Sequence, residues 1–353
     1  MTRPKFTIVI PTWNRAQMLS RAVASALSQT LEDIEIYISD NGSTDGTASL
    51  VRSLDDPRVH YRPLSKNIGL HGNFNRCLGF GTAPYLAFLH DDDAYHPENL
   101  QRKADFFDLH PSVGAVHSPV DQADVDGTVY RPHLTFGVGT RPGVEPGWWF
   151  IRRQMRQPGL TQFSATALRR SAIGNNRFDV EDGMAPTDVG LRLRMAIDSD
   201  IGFIDEALTV HTRHRGSVTT REILEAGSGE LATNASLQSV RELTHVKRRF
   251  IAEHGNRLHD DPSLLWRLAV RGQREQLARA LYGVARLHPG YRHVGAKLLE
   301  AARIDPLALA QPETAKAVAL TLLGGRGHRM ARGIRDLLRS ASRAPRPEDR
   351  TSR

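Results

Sequence analysis

The first hundred residues alternate short, β-branched apolar runs with longer segments of helical periodicity. Lys5–Ile10 (KFTIVI) and Ile34–Ser39 (IEIYIS) predict buried strands, Arg58–Tyr61 a short third strand and Pro84–Leu89 (PYLAFL) a fourth. Between them, Arg15–Gln29 repeats Met18, Leu19, Ala22, Val23, Ala26 and Leu27 at helical spacing, and Gly72–Phe80 reads as a helix. Asp40–Gly46 (DNGSTDG) is dense in turn residues, with Ser43 or Thr44 as candidate cap of the next helix. Pro97–Leu109 predicts a helix with Pro97 near its first turn. This alternation predicts an α/β fold with a mostly parallel sheet and helices on both faces.

From about Pro111 to Thr220 the pattern loosens. Val113–Ser118, Thr161–Leu168 and Ile201–Ile204 predict strands, and Trp148–Arg156 and Asp188–Asp198 predict helices. Asp121–Pro132 and Gly137–Gly147 are rich in Gly, Pro and Asp and read as loops or hairpins. After Arg221, helix follows helix: Leu231–His254, Pro262–Leu287, His293–Ile304, Pro312–Leu323 and His328–Ser340, punctuated by Gly or Pro. The expected organisation is an α/β domain over 1–220, an all-helical region over 221–342 and a disordered, charged tail over 343–353.

Composition narrows the setting. At 353 residues the chain has length for two domains. Its mean hydropathy is −0.40, and it contains neither an apolar run long enough to span a membrane nor a signal-peptide core near its start. The single cysteine, Cys77, excludes an intrachain disulfide and a cysteine-based zinc cage. Together these features point to the cytoplasm.

Charge is unevenly spread. The net charge is +8, yet residues 221–353 carry 24 basic and 14 acidic side chains, and residues 1–220 carry 23 and 25. A near-neutral segment therefore precedes one of net +10. Within the latter, His328–Ser340 places Met330, Ile334, Leu337 and Leu338 on one stripe, with Arg329, Arg332, Arg335 and Arg339 around it. Such a helix either docks on its own domain or lies on the inner, anionic face of a membrane as a peripheral contact. No zinc finger, aromatic RNA-binding motif or clear helix-turn-helix pattern accompanies the basicity, so no nucleic-acid partner is expected.

The chemistry gathers at predicted strand ends, where open α/β sheets bind ligands. The first strand ends in Pro11-Thr12-Trp13-Asn14-Arg15, the second in Asp40-Asn41-Gly42-Ser43 and the fourth in His90-Asp91-Asp92-Asp93. Three consecutive carboxylates repel one another unless a cation neutralises them. Mg²⁺ or Mn²⁺, held by carboxylates against a diphosphate, meets that need; a solvated acidic turn before the Pro97 helix is the alternative.

Four blocks carry a family resemblance: IVIPTWNR (8–15), ISDNGSTDGT (38–47), KNIGLHGNFNRCLGFGTAPYLAFLHDDDAYHPENL (66–100) and, more loosely, FDVEDGMAPTDVGLRLRMA (178–196). Over about residues 5–215 the chain resembles a family 2 glycosyltransferase of the inverting type. The resemblance implies a GT-A fold, Rossmann-like, here followed by the all-helical extension. It implies transfer of a sugar from a nucleoside-diphosphate donor to the hydroxyl of a glycan or lipid-linked acceptor, with Mg²⁺ or Mn²⁺ as cofactor, in surface polysaccharide or glycoconjugate synthesis.

Site residues follow position by position from the resemblance. Pro11, Thr12, Asn14, Arg15 and Asp40 fall where the family holds nucleobase and ribose, and Asn67 and Asn73 fall in the third motif beside that pocket. The Asp triplet matches the DxD motif, with His90 replacing its first Asp. Asp92 is the expected metal ligand, Asp91 contacts ribose or water, and Asp93 is a second ligand or an orienting group. His214, in the His/Arg-rich VHTRHRG segment with His211, either ligates the metal or neutralises phosphate. Asp188, in D-x-x-L-x-x-R, is the expected catalytic base, although Thr187 replaces the usual Glu; Asp182, preceded by Glu181, competes for the role. Trp148 and Trp149 are either an acceptor platform or core or interface residues. A sugar nucleotidyltransferase is disfavoured because the PTWNR loop lacks glycines. The His90 and Thr187 departures leave open a non-catalytic carbohydrate-binding module.

Overall fold

The computed structural model describes residues 3–135, 142–157, 162–183, 187–214, 229–287, 301, 306–312, 314 and 318. It divides into two units, one of Met1–Arg221 with Ser239–Gln273 and one of Glu222–Gln238 with Arg274–Arg353. The predicted helix His328–Ser340 and the tail 343–353 lie outside the described residues, as do nearly all of His293–Ile304 and most of Pro312–Leu323.

The first unit is built on strands β1 (Phe6–Thr12), β2 (Ile34–Asp40), β3 (Val59–Pro63), β4 (Tyr85–Phe88), β6 (Val113–His117), β9 (Gly143–Glu145), β10 (Thr166–Arg169) and β11 (Asp200–Phe203), in the order β3-β2-β1-β4-β10-β6-β11-β9. The pairs β1–β2, β2–β3, β1–β4 and β6–β11 are parallel; β10 runs antiparallel to both its neighbours, and β9 is antiparallel to β11. The period of two along β1 explains the layering. Phe6, Ile8 and Ile10 join a cluster with Leu19, Ala22, Val23 and Ala26 of α1 (Ala16–Leu27) and with Leu100, Ala104 and Phe107 of α4 (Asn99–Leu109). Val9 points to the opposite cluster, which contains Phe74 and Cys77 of α3 (Gly69–Leu78), Phe150 and Met155 of α5 (Gly147–Arg156), and Val189 and Leu193 of α7 (Thr187–Met195). The same cluster takes Leu243, Val246 and Phe250 of α8 (Gly229–His254) and Leu265 and Ala269 of α9 (Pro262–Leu287). The core of this unit thus draws on residues beyond 221.

A second, small sheet goes beyond the predicted elements. It orders β5 (Ala94–Tyr95), β12 (Thr209–Thr212), β7 (Val120–Ala123) and β8 (Val129–Leu134) as β5-β12-β7-β8. The antiparallel β7–β8 pair is the hairpin expected from Asp121–Pro132. Two local expectations need correction. Neither Ser43 nor Thr44 caps α2 (Thr47–Arg52), because the helix starts beyond them and Gly46 holds the cap position; the Asp45 carboxylate accepts the Thr47 N–H instead, at 3.0 Å. The strand predicted over Thr161–Leu168 begins only at Thr166, since Phe163–Ala165 forms a 3₁₀ turn.

One buried charge gives this core a pH signature. Lys103 of α4 is 1% exposed, with its ammonium 5.8 Å from the centre of the Tyr95 ring. Burial pushes its pKa down to about 7. Unfolded, a lysine titrates near about pH 10.4, so between about pH 7 and 10 the unfolded chain binds more protons and stability rises with pH. Lys103→Met should flatten that slope and raise stability most at pH 7 and below, where the cost of burying the ammonium is greatest. Each tenfold loss of proton affinity that the substitution abolishes corresponds to about 1.4 kcal/mol. Chemical denaturation at about pH 6 and pH 9, on either side of the folded-state titration, measures the effect; equal slopes in both proteins would refute the assignment.

Candidate active site

The chain leaves β1 toward β2 and β3 on one side, then returns to place β4 on the other. A crevice forms at such a switch point, beyond the carboxyl ends of β1 and β4. The parallel register of β1 with both neighbours aligns these ends, and Pro11 lies opposite Ser39 in it. The crevice therefore receives Thr12 and Arg15 from β1 and the acidic triplet from β4.

These groups are in direct contact. Thr12 Oγ1 donates to Asp91 at 2.8 Å, and the Arg15 guanidinium bridges Asp91 and Asp92, at 3.0 Å from each. His214 Nε2 lies 2.9 Å from Asp92. Asp93, wholly buried, accepts from Ser164 Oγ at 2.6 Å and from the Thr212 N–H at 3.0 Å, with His211 Nδ1 at 3.1 Å. Ser164 Oγ also accepts the His90 N–H at 3.2 Å. Arg21 of α1 donates to the Asp92 carbonyl at 3.0 Å and to Thr212 Oγ1, tying the small sheet to the same turn. Ser164, Thr212 and Arg21 are not among the residues the sequence singles out. Only the His/Arg-rich VHTRHRG segment hints that β12 returns to the carboxylates.

The electrostatics follow from crowding. Burial and the adjacent Asp92 charge raise the Asp91 carboxyl, despite Arg15 and Thr12. Burial also works against an ionised Asp92, but the His214 hydrogen bond and the nearby His90 and Arg15 outweigh it and hold its pKa low. This splitting is the expected behaviour of adjacent carboxylates. His90, Asp92 and Asp93 each offer a ligand atom within 4.8 Å of the others. His90 Nε2 is buried and has no hydrogen-bond partner among the described residues. Imidazole nitrogen with carboxylate oxygen is a donor set that suits Mn²⁺ and, through its oxygens, Mg²⁺; the residues fit such an ion.

The residues expected at the nucleotide divide by what they hold. Asp40 is 2% exposed and accepts the Ser43 N–H at 2.8 Å and the Tyr61 O–H at 2.5 Å. Asn14, with φ +53°, accepts the Thr44 N–H on its side-chain oxygen and so staples the β1 and β2 loops. Asn67 Oδ1 accepts from Gly69 N–H and from Asn41 Nδ2, shaping the start of α3. Gly42, at φ +77°, lies so close to this loop that a Cβ would sit 2.7 Å from the Lys66 carbonyl carbon. Asn73 grips Ser39 through both the oxygen and the nitrogen of its side-chain amide.

The two candidate bases have different surroundings. Asp188, with a side chain 15% exposed, opens α7 and pairs with Arg192 at 2.9 Å. Burial raises its carboxyl pKa, moderated by the nearby Arg192 and His90. Asp182 is 2% exposed, 2.9 Å from Arg194 and 3.6 Å from Arg249, and pressed against Gly190. Trp148 and Trp149 are 37% and 45% exposed on α5, with Trp148 stacked on His259 at 4.6 Å.

Comparison with known proteins agrees with this architecture. Residues 7–177 match the family model described as Glycosyl transferase family 2. The chain is 35% identical over 134 residues to an uncharacterized glycosyltransferase of Nostoc sp., covering 35% of this chain and 42% of that protein. It is 33% identical over 128 residues to the succinoglycan biosynthesis protein ExoO of Rhizobium meliloti, covering 36% of each. It is 39% identical over 94 residues to the GalNAc(5)-diNAcBac-PP-undecaprenol beta-1,3-glucosyltransferase of Campylobacter jejuni, covering 26% of this chain and 30% of that one. The matched part thus spans less than half of each of these three relatives. Among solved structures, S. aureus TarS 1-349 in complex with UDP-GlcNAc superposes with a TM-score of 0.52 at 18% identity, covering 85% of this chain and 89% of that one. The mannosyltransferase PcManGT of Pyrobaculum calidifontis, in complex with GDP-Man and Mn²⁺, gives 0.51 at 17% identity, covering 97% and 86%. The fold is GT-A, and residues 7–177 are similar to glycosyl transferase family 2.

Proposed function

We propose that this chain moves a sugar from a nucleoside-diphosphate donor to an acceptor hydroxyl with inversion, and that Asp188 is the base. The observation that carries the proposal is the pairing of two unlike carboxylate sites around His90. His90 offers a ligand atom within 4.8 Å of Asp92 and Asp93 at the end of β4, and its charge also acts on Asp188 at the start of α7, which burial keeps less acidic than usual. A carboxylate less acidic than usual is a better proton acceptor at neutral pH.

In this reading the Asp40 and Asn14 loops, with Thr12, Arg15 and Asp91, bind the nucleoside. Asn67 and Asn73 act behind them by fixing α3 and the end of β2. Asp92 and His90 are the favoured metal ligands, with His214 as a further candidate; Asp93, whose oxygens already accept from Ser164 and Thr212, orients the site. A bound Mg²⁺ or Mn²⁺ supplies positive charge to the departing diphosphate. An Asp188 carboxylate oxygen takes the proton from the acceptor hydroxyl on the face away from the diphosphate, and direct displacement with one such base inverts the anomeric carbon. Arg192 holds that carboxylate in place.

The acceptor is proposed as a glycan or a lipid-linked glycan of a surface polysaccharide or glycoconjugate. The succinoglycan biosynthesis and PP-undecaprenol glucosyltransferase relatives support this class. We further propose that residues 1–220 carry catalysis and that the basic region 221–342, ahead of the tail 343–353, brings a cytoplasmic enzyme to an anionic membrane face. The support is the net charge of +10 over residues 221–353; no helix among the described residues is long and apolar enough to cross a membrane.

A thermal-shift panel of UDP-, GDP- and dTDP-sugars, each with and without Mn²⁺, tests the activity class, followed by release of the nucleoside diphosphate from the stabilising donor. Ligand at about a hundred times its Kd should add about 2.7 kcal/mol of stability. At least one donor should stabilise the protein in the presence of Mn²⁺. No shift with any donor would overturn the proposal.

A further inference from the structure

Segment 178–183 is held more firmly than a connecting loop requires. Asn75 of α3 clamps Phe178 at two points: its Nδ2 donates to the Phe178 carbonyl at 2.8 Å, and its Oδ1 accepts the Phe178 N–H at 2.8 Å. One turn earlier on the same helix, His71 Nε2–H donates to the Gly183 carbonyl at 3.0 Å. The residues lie four apart, so they share one face of α3. Between the two clamps, the Phe178 ring sits among Phe74, Phe88 and Phe163, with centroids 5.2–5.6 Å away.

The far side of the segment is fixed to the helix that carries Asp188. Asp182 binds Arg194 of α7 at 2.9 Å, and its carboxylate packs so closely on α7 that a Cβ at Gly190 would collide with Asp182 Oδ2. Meanwhile the opposite face of α3 holds the nucleotide side: Asn73 binds Ser39 at the end of β2, and Asn41 reaches the Gly69 carbonyl. A continuous series of polar contacts, buried at Asn73 and part-buried beyond it, therefore runs from the end of β2 through α3 and segment 178–183 to α7.

We propose that Asn75 and His71 are positioning residues that, through segment 178–183, set Asp188 of α7 relative to the donor pocket. The proposal rests on Asp188 being the base. Neither residue is assigned contact with donor or acceptor. Asp182, in this arrangement, fastens α7 and does not exchange a proton with the acceptor.

The test uses Asn75→Ala and, as a second variant should that one fold poorly, His71→Leu, each alone and combined with Asp188→Asn in the full chain. Affinity for UDP and GDP with Mn²⁺ is measured by calorimetry, turnover with the donor sugar identified by the thermal-shift panel, and backbone exchange by hydrogen–deuterium mass spectrometry. A misplacement of about 1 Å can lower turnover by about 10²-fold. The expected result is a loss of turnover of about 10- to 100-fold with nucleotide affinity unchanged, and faster exchange in 178–195 but not in 8–15. Added to Asp188→Asn, either change should have no further effect on turnover, since the group being positioned is already absent. Full additivity in the double variants, or unaltered exchange across 187–195, would overturn the proposal. If Asp188→Asn alone retains normal turnover, the base assignment fails instead, and the exchange pattern still decides whether α3 holds α7.

Discussion

Asp188→Asn should lower sugar transfer by about 10²–10⁴-fold, the usual contribution of a positioned general base, while leaving nucleotide affinity within about twofold of wild type, far below the roughly 1.4 kcal/mol that a tenfold change represents. The amide keeps the shape of the side chain and its contact distance to Arg192 but has no basic oxygen to receive the acceptor proton. The nucleotide contacts are assigned to the ends of β1, β2 and β4 and not to α7, so donor binding should survive. Initial rates at saturating donor and calorimetry with UDP and GDP check both halves. Turnover like that of wild type would remove Asp188 from the base role. Asp182→Asn offers a contrast in stability. It removes a buried charge facing Arg194 and Arg249, so it should lower the melting temperature, and its effect on turnover should stay within the loss of about 10- to 100-fold expected when α7 is merely loosened.

How the sequence could announce the crevice but not its supports is clear from individual elements. Strands β1 and β4 are buried on both faces, and such strands read as unbroken apolar runs, FTIVI and YLAFL, that stop abruptly at polar residues. Their ends are therefore visible, and with them Thr12, Arg15 and Asp91–Asp93. The small sheet is not visible because β5 is two residues long and β12 four, too short for alternation to declare itself. His211 and His214 can be marked as basic residues, but their arrival at Asp93 and Asp92 depends on β12 pairing with β5 and β7, and each contact closes more than a hundred residues of chain. Ser164 carries no signal at all; its role comes from the 3₁₀ turn that replaces the expected start of a strand.

Asparagines 73 and 75 show the same limit on a smaller scale. Two residues apart on a helix, they point roughly 200° apart at about 100° per residue. Asn73 consequently meets β2 and Asn75 meets Phe178. Nothing in NFN says which neighbour lies on which side. The choice between Asp182 and Asp188 is likewise open in the sequence, because a partner that helps enclose Asp182 is Arg249, far along the chain on α8.

Asp92→Ala should abolish the Mn²⁺ dependence of nucleotide binding, lowering UDP or GDP affinity in the presence of the metal by at least about 10- to 100-fold; loss of a residue that merely supports a metal site already has that effect. Asp92 is the member of the triplet held ionised by its surroundings, through His214, His90 and Arg15. It therefore keeps its negative charge to lower pH than Asp91, whose carboxyl is raised to about 6 and is the first of the pair to take up a proton as the pH falls. The change also removes one partner of His214 and one of the two carboxylates bridged by Arg15, yet it relieves the repulsion between adjacent carboxylates. The melting temperature without metal should accordingly move far less than the metal response. The decisive comparison is the thermal shift produced by Mn²⁺ alone, followed by titration of UDP and GDP with and without it. A wild-type response to Mn²⁺ in Asp92→Ala would transfer the metal to other ligands, and with it the assignment of the diphosphate end of the crevice.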